Sequence, residues 1–269
     1  MTVSGIAGVF DRAAGTYDAV GVPWFAPIAG GLVEELDVQP GERVLDVGCG
    51  RGAALVPLAH AAGPTGRVLG IDLAPGMVER TAVDVADLPQ VEVRLADATA
   101  PGLAPASYDV VSSCLVLFFL PDPAGAVRAW ADLLVPSGRV GITTFARQDE
   151  RWRSIDALFT PYLPPAMLDA RTSGARGPFA SDEAMEDLLR DAGLDEVRTA
   201  HREVTVTFAS AAQWKDFSWS HGQRAMWEAV PAEARGEVEA AAYGLLAGWD
   251  ELTVSQQVRH TLGRRRPAP

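Results

Sequence analysis

Between residues 27 and 145 the chain alternates short apolar runs with helix-forming segments. The pattern predicts helices over 27–36, 52–62, 75–84 and 123–134, and strands over 43–47, 67–71, 91–96, 108–117 and 139–145. Alternation of this kind builds a parallel sheet covered by helices, an α/β fold. Residues 110–120 are almost continuously apolar, as expected of a central strand buried on both faces. Pro136, Ser137 and Gly138 form the turn before the fifth strand.

After residue 146 the pattern changes. Residues 147–178 hold Pro161, Pro164, Pro165 and Pro178 among aromatics and five arginines, Arg147, Arg151, Arg153, Arg171 and Arg176, and this stretch reads as a partly helical cap. Ser181 is an N-cap ahead of an acidic first turn, Asp182 and Glu183, and Gly193 closes that helix. A strand over 196–208 follows, with alternation of period two in its second half. Residues 210–250 read as a helical insert and residues 255–263 as a last strand, so the sheet closes with an antiparallel member near the fifth strand. Two parts result, a core over 1–146 with an N-terminal lid, and 147–269 with the cap, the insert and the last strands. No internal repeat or low-complexity block is present.

The 269 residues, 48% hydrophobic, suffice for one large core. A formal charge of -12 argues against a nucleic-acid partner, which needs a basic stripe against phosphates. The run Arg264, Arg265 and Arg266 reads as a solvated tail leading into Pro267. No stretch reaches the roughly 18 apolar residues of a membrane span, and the first twenty residues lack a basic segment followed by an apolar run. Cys49 and Cys114 fall at the ends of neighbouring strands, where a disulfide beside a ligand loop is unusual, and a reduced, cytoplasmic chain is the simpler expectation. A homodimer is left open.

The chemistry concentrates at Val44-Leu45-Asp46-Val47-Gly48-Cys49-Gly50-Arg51-Gly52, an apolar strand running into three close glycines ahead of a helix. Such a loop lets backbone approach a nucleotide-like ligand, with helix amides facing it. Asp72, ending the next strand, suits a ribose diol. The glycines alone fit either a nicotinamide dinucleotide or S-adenosylmethionine. Asp46 favours the second: a carboxylate there repels a pyrophosphate but accepts a hydrogen bond from a cationic amino group, directly or through water. Taken singly, Asp46 could be a strand-end turn residue, Asp72 a helix cap and Asp97 a loop stabiliser. Their joint placement after successive strands favours a ligand site, since open α/β sheets bind ligands at strand carboxyl ends.

On these residues the chain resembles the class I S-adenosylmethionine-dependent methyltransferases, in the small-molecule branch that includes ubiquinone and menaquinone C-methyltransferases and natural-product methyltransferases. Gly70-Ile71-Asp72-Leu73-Ala74-Pro75-Gly76-Met77 resembles the second-strand motif of that family, and Leu95-Ala96-Asp97-Ala98 the third. The resemblance implies a Rossmann-like seven-stranded, mostly parallel sheet of order 3-2-1-4-5-7-6 with helical cap insertions. It also implies that S-adenosylmethionine contacts Asp46, Gly48, Cys49 and Gly50, that Asp72 holds both ribose hydroxyls, that Leu73 and Met77 contact the adenine, and that Asp97 with the Ala98 backbone reads its edge. Cys114, at the end of the fourth strand, would lie by the methyl donor. Phe10 to Asp18 resembles a cofactor-covering segment, which makes Tyr17 a lid contact.

Methyl transfer needs a nucleophilic O, N or C in line with the methyl carbon and sulfur, and the enzyme mostly positions and desolvates the reactants. A general base serves a hydroxyl but is unnecessary for an ionised carboxylate. Many relatives carry a histidine pair after the fourth strand. This chain has Leu117-Phe118-Phe119-Leu120 there. His221 is therefore the candidate for proton transfer or acceptor binding, while His201 and His260 lie on predicted strands and read as structural. The cap insert brings Trp214, Trp219, Arg224 and Trp227 near His221, and Phe118, Trp219 and Arg224 are the candidate substrate contacts; packed core is the competing reading for the tryptophans. The cap arginines could hold an acidic acceptor or be solvated. The expected activity is methyl transfer to a small organic or natural-product acceptor, at oxygen rather than carbon or nitrogen. Cyclisation or ligand binding on the same fold is the alternative. A nicotinamide oxidoreductase lacks support, since Lys215 is the sole lysine.

Overall fold

The computed structural model describes residues 3–170 and 176–267, so Arg171 of the cap arginines lies outside the described residues. Helices α1 (Val3–Ala13) and α2 (Phe25–Leu36) precede β1 (Arg43–Val47), α3 (Leu55–Ala62), β2 (Arg67–Asp72), α4 (Pro75–Asp84), β3 (Val91–Leu95), β4 (Tyr108–Cys114), α5 (Pro123–Leu133) and β5 (Leu134–Gln148). Then come α6 (Glu150–Ala157), α7 (Pro165–Ala170), α8 (Asp182–Asp191), β6 (Leu194–Thr207), α9 (Ala211–Ser220), α10 (Arg224–Ala229), α11 (Arg235–Ala247) and β7 (Thr253–Arg265). The seven strands form one sheet of order β3-β2-β1-β4-β5-β7-β6. All neighbours are parallel except β7, which runs antiparallel to both β5 and β6. This is the Rossmann-like, seven-stranded order that the family resemblance implies. The boundary expected at residue 146 falls inside β5, and both parts share the sheet.

Strand alternation sorts the core into two faces. Val44, Val110 and Leu262 face α2 and α3, whereas Leu45, Val47, Val111, Val140 and Ile142 pack with Val127 and Trp130 of α5 and Leu189 of α8. At Gly141 of β5, a Cβ would come within 2.8 Å of Leu32 and Leu36 on α2, so the missing side chain is what lets that helix approach. Local signals start the helices: Asp122 accepts from the Gly125 N–H at 2.8 Å ahead of α5, and Ser181 Oγ from the Ala184 N–H at 3.1 Å ahead of α8. Gly193, at φ 83°, follows the end of α8.

Several expected boundaries move. The apolar run over 110–120 is not one strand: β4 ends at Cys114, Leu115 turns the chain at φ 59°, and residues 117–119 form a 3-10 turn. Helix α3 begins only at Leu55, because the glycine loop occupies the preceding residues in tight turns. The arginine run is not a solvated tail. Arg264 and Arg265 belong to β7, Arg264 and Arg266 pair with Glu196 and Asp195, and Arg265 donates to the Asp132 carbonyl at 2.9 Å, a cation at the C-terminal end of α5. Cys49 and Cys114 are both free thiols. Among the described residues no helix is long and apolar enough to cross a membrane.

Candidate functional site

The carboxyl ends of β1, β2 and β3 carry the glycine loop and three aspartates. Gly48 sits at φ 71°, and a Cβ there would meet Val116 Cγ2 at 2.3 Å, so only glycine lets the loop fold against Val116, two residues past β4. The N–H groups of Gly48 and Cys49 both donate to the Ile71 carbonyl, at 2.8 and 3.0 Å, and Thr81 Oγ1 donates to the Gly50 carbonyl at 2.7 Å. Asp72 accepts from the Gly50 N–H through one oxygen and from the Ala74 N–H through the other, each at 2.9 Å. The Leu73 N–H adds to their pull, and since a carboxylate has about four lone-pair positions, capacity remains for a ligand. Asp97 is oriented through one oxygen by the backbone N–H and hydroxyl of Thr99, both at 2.8 Å, and the Ala98 carbonyl accepts from Trp130 Nε1 at 2.8 Å.

Asp46 is different in kind. It is 1% exposed, its Oδ2 has no hydrogen-bond partner, and burial pushes its carboxyl up to about 7, against a pull from the Ser112 hydroxyl and with a further push from the Asp72 charge. A buried carboxylate oxygen of this kind asks for a cationic donor. The glycine cradle, the orphaned Asp46 oxygen and the two preoriented carboxylates fit an adenosyl amino acid.

Two adjoining cavities lie over this end of the sheet. The smaller, about 120 Å³, is lined by Gly48, Gly50, Asp72, Leu73, Met77, Asp97, Ala98, Cys114 and Tyr17, which brings most of the sequence-predicted cofactor residues together. Two of them are not on its wall. Asp46 stands behind the loop, and the Cys49 side chain belongs to the core cluster with Leu55 on the α3 face of the sheet, leaving only its backbone for a ligand. Burial raises the Cys114 thiol to about 12 and the Tyr17 hydroxyl well above its ordinary range, so both stay protonated.

The larger cavity, about 210 Å³, is mostly apolar, with the rings of Trp24, Phe118, Phe145 and Trp152 on its wall. Ile6, Phe10, Tyr17, Phe25, Leu115 and Phe119 line both cavities and form their junction. Tyr17 stacks on Phe25 with ring centroids 4.5 Å apart. The α1 end of this junction is clamped: Asp11 Oδ1 accepts from the Gly76 N–H at 2.6 Å, Arg51 donates to the Ala14 carbonyl at 2.7 Å, and Arg12 and Arg224 both bind Glu228 of α10.

His221 lines the larger cavity and is 8% exposed. The Gln223 backbone N–H donates to its Nδ1 at 3.2 Å, which assigns the ring proton to Nε2, and Nε2 has no partner among the described residues. Burial lowers its pKa to about 3. The ring is therefore a neutral N–H donor and a poor base. Phe118 lines the cavity as expected, but Trp219 and Arg224 do not. Trp219 stacks on Trp227 at 5.7 Å with the guanidinium groups of Arg224 and Arg235 over its ring, and Trp227 is fully buried with Nε1 on Ser218 Oγ at 2.7 Å. His201 pairs with Asp182, and buried His260 bonds Thr143 at 2.8 Å, both structural. Four polar residues of the larger cavity, Gln148, Asp156, Gln223 and Gln256, carry no sequence signal beyond the closeness of Gln223 to His221.

A family model described as a methyltransferase domain matches residues 45–142. The chain is 38% identical over 276 residues to nocamycin O-methyltransferase of Saccharothrix syringae, spanning 97% of this chain and 98% of that protein. It is 38% identical over 166 residues to aklanonic acid methyltransferase DauC of Streptomyces sp. (strain C5), spanning 61% and 76% of the two chains. The crystal structure of the YcgJ protein of Bacillus subtilis superposes with a TM-score of 0.59 over 90% of this chain and 99% of that one, a likeness of fold at 13% identity. Identity of 38% sustained along nearly the whole of both sequences, on the sheet order seen here, makes this chain a member of the S-adenosylmethionine-dependent methyltransferases, with S-adenosylmethionine as its methyl donor.

Proposed function

We propose that the protein transfers a methyl group to an acidic oxygen, a carboxylate, enol or phenol, of a largely apolar natural-product acceptor. The observation that carries this reading is the junction between the cavities: of the six residues that line both, none is a histidine or carboxylate, and Tyr17 is held neutral by burial. An acceptor oxygen brought there finds no base, so it must arrive ionised or nearly so. The likeness to a nocamycin O-methyltransferase and an aklanonic acid methyltransferase supports the same class.

S-adenosylmethionine bound in the smaller cavity supplies an electrophilic methyl carbon, and transfer forms one carbon–oxygen bond as the carbon–sulfur bond breaks. Asp72 would orient the ribose with the hydrogen-bonding capacity its backbone partners leave, and Asp97 with the Ala98 backbone would select the adenine beside Leu73 and Met77. Gly48 and Gly50 would hold the amino-acid end of the donor, and Asp46, behind the loop, would be the carboxylate partner of its ammonium group. Cys114 and Tyr17, on the wall of the smaller cavity, would enclose the methyl end of the donor. The aromatic junction excludes water, which strips the acceptor oxygen of hydration and holds it in line. His221 binds the acceptor as a donor.

The test is incubation of the purified protein with 13C-methyl-labelled donor and a metabolite extract. One labelled product is expected, with the methyl carbon on oxygen by its NMR shift. Label on carbon or nitrogen refutes the oxygen assignment, and absence of any labelled product refutes the acceptor class.

A further inference from the structure

The larger cavity has a polar wall that the smaller one does not share. Gln148 ends β5, Asp156 lies on α6, and His221 and Gln223 sit between α9 and α10. Asp156 organises the group: its Oδ2 accepts from Gln148 Nε2 and its Oδ1 from Gln223 Nε2, each at 2.8 Å. Only an amide NH2 can face a carboxylate in this way, so the orientation of Gln223 is settled, and its Oε1 is left as the acceptor. That oxygen has no partner among the described residues, and neither has the protonated Nε2 of His221. Both residues are more than nine-tenths buried. Two residues apart in the chain, they carry one unused donor and one unused acceptor beside a cavity otherwise lined mainly by apolar side chains. Gln256, on the same wall, donates its amide to the Arg147 and Gln257 carbonyls.

We propose that His221 and Gln223 read a neutral edge of the acceptor in which a carbonyl oxygen is flanked by an O–H or N–H, a hydroxy-carbonyl or cis-lactam group, with Asp156 and Gln148 as positioning residues. This rests on the larger cavity being the acceptor site. His221 Nε2–H donates to the carbonyl, and Gln223 Oε1 accepts from the flanking O–H or N–H. A site built to pair such groups rejects analogues that lack one, because its own buried atom is then stranded. The recognised edge is neutral, and so differs from the ionised oxygen that takes the methyl group at the junction.

The probes are 2-quinolinone, which carries adjacent C=O and N–H groups on a flat frame, and N-methyl-2-quinolinone, which lacks the donor. Each is titrated calorimetrically into protein saturated with S-adenosylhomocysteine. The parent is expected to bind about tenfold more tightly than its N-methyl form. That preference disappears in Gln223→Met and shrinks in Asp156→Asn, whose amide no longer dictates which way Gln223 points, while affinity for S-adenosylhomocysteine is unchanged in both. Equal binding of the two probes by the wild-type protein, or binding of neither, overturns the proposal without recourse to any variant. Failure of the methyltransferase reading shows separately, as no association with S-adenosylhomocysteine or no methyl transfer, whatever the probes do.

Discussion

Asp46 and His221 are both buried and both shifted by that burial, and each yields a test. Asp46 holds its proton up to about 7 in the folded protein, whereas an unfolded aspartate loses it near 4. Between those values the folded state binds more protons than the unfolded one, so stability falls as pH rises across that window. A bound ammonium group favours the carboxylate, so affinity for S-adenosylhomocysteine rises over the same range. Asp46→Asn should flatten the pH dependence of both the melting temperature and the calorimetric affinity, and weaken binding by about tenfold at neutral pH. If the variant binds with the wild-type pH profile, Asp46 has no part in the site. For His221, with a folded pKa of about 3, the donor role predicts that His221→Ala raises the acceptor KM about tenfold and leaves S-adenosylhomocysteine affinity and the kcat pH profile unchanged. A collapse of kcat with unaltered KM would mark it as a base instead. At this scale the sequence was legible close to the strand ends: Asp72 ends β2, Asp97 lies two residues past β3 and Met77 is in the first turn of α4, and all three stand on the cavity wall. It misled at Trp219 and Arg224, since the chain breaks between α9 and α10 and the break turns those side chains toward Trp227 and Glu228 rather than the cavity.

At the scale of elements, α1 closes both cavities while being held at its rim by charged groups. Arg12 and Glu228 are 51% and 27% exposed, so their pair adds little stability on its own. Its expected effect is on timing. Glu228→Gln, which also releases Arg224, should change the unfolding free energy by less than about 1 kcal/mol but speed dissociation of S-adenosylhomocysteine in stopped-flow measurements, more so at low salt than at high. An unchanged dissociation rate would make the clamp purely structural. The turn at Leu115 is a second element whose role the apolar pattern hides. Residues 110–120 read as a single strand because periodicity cannot register one residue at φ 59°. That residue swings Phe118 and Phe119 out of the sheet and onto the cavity walls.

For the whole molecule, the donor site draws on the ends of β1, β2 and β4, the loop after β3 and the N-terminal segment, so its occupancy should stabilise the fold as a unit. Saturation with S-adenosylhomocysteine at about 100 times its Kd is worth about 2.7 kcal/mol. In a chain of this size that is a rise in melting temperature of about 5–10 °C. No rise at that ratio would mean that the ligand fails to favour the folded state. Strand and helix alternation, the glycine loop and the aspartates after successive strands were determined by the sequence alone, because each depends on neighbours within a few residues and on a periodicity that local sterics impose. The larger cavity was decided only by tertiary structure. Gln148 and Gln256 meet because β5 and β7 pair in one register, and Asp156 reaches Gln223 across 67 positions because α6 and the turn after α9 pack over the same end of the sheet. No local pattern encodes such convergence, since polar residues destined for a cavity wall and for solvent look alike until the chain has closed around them.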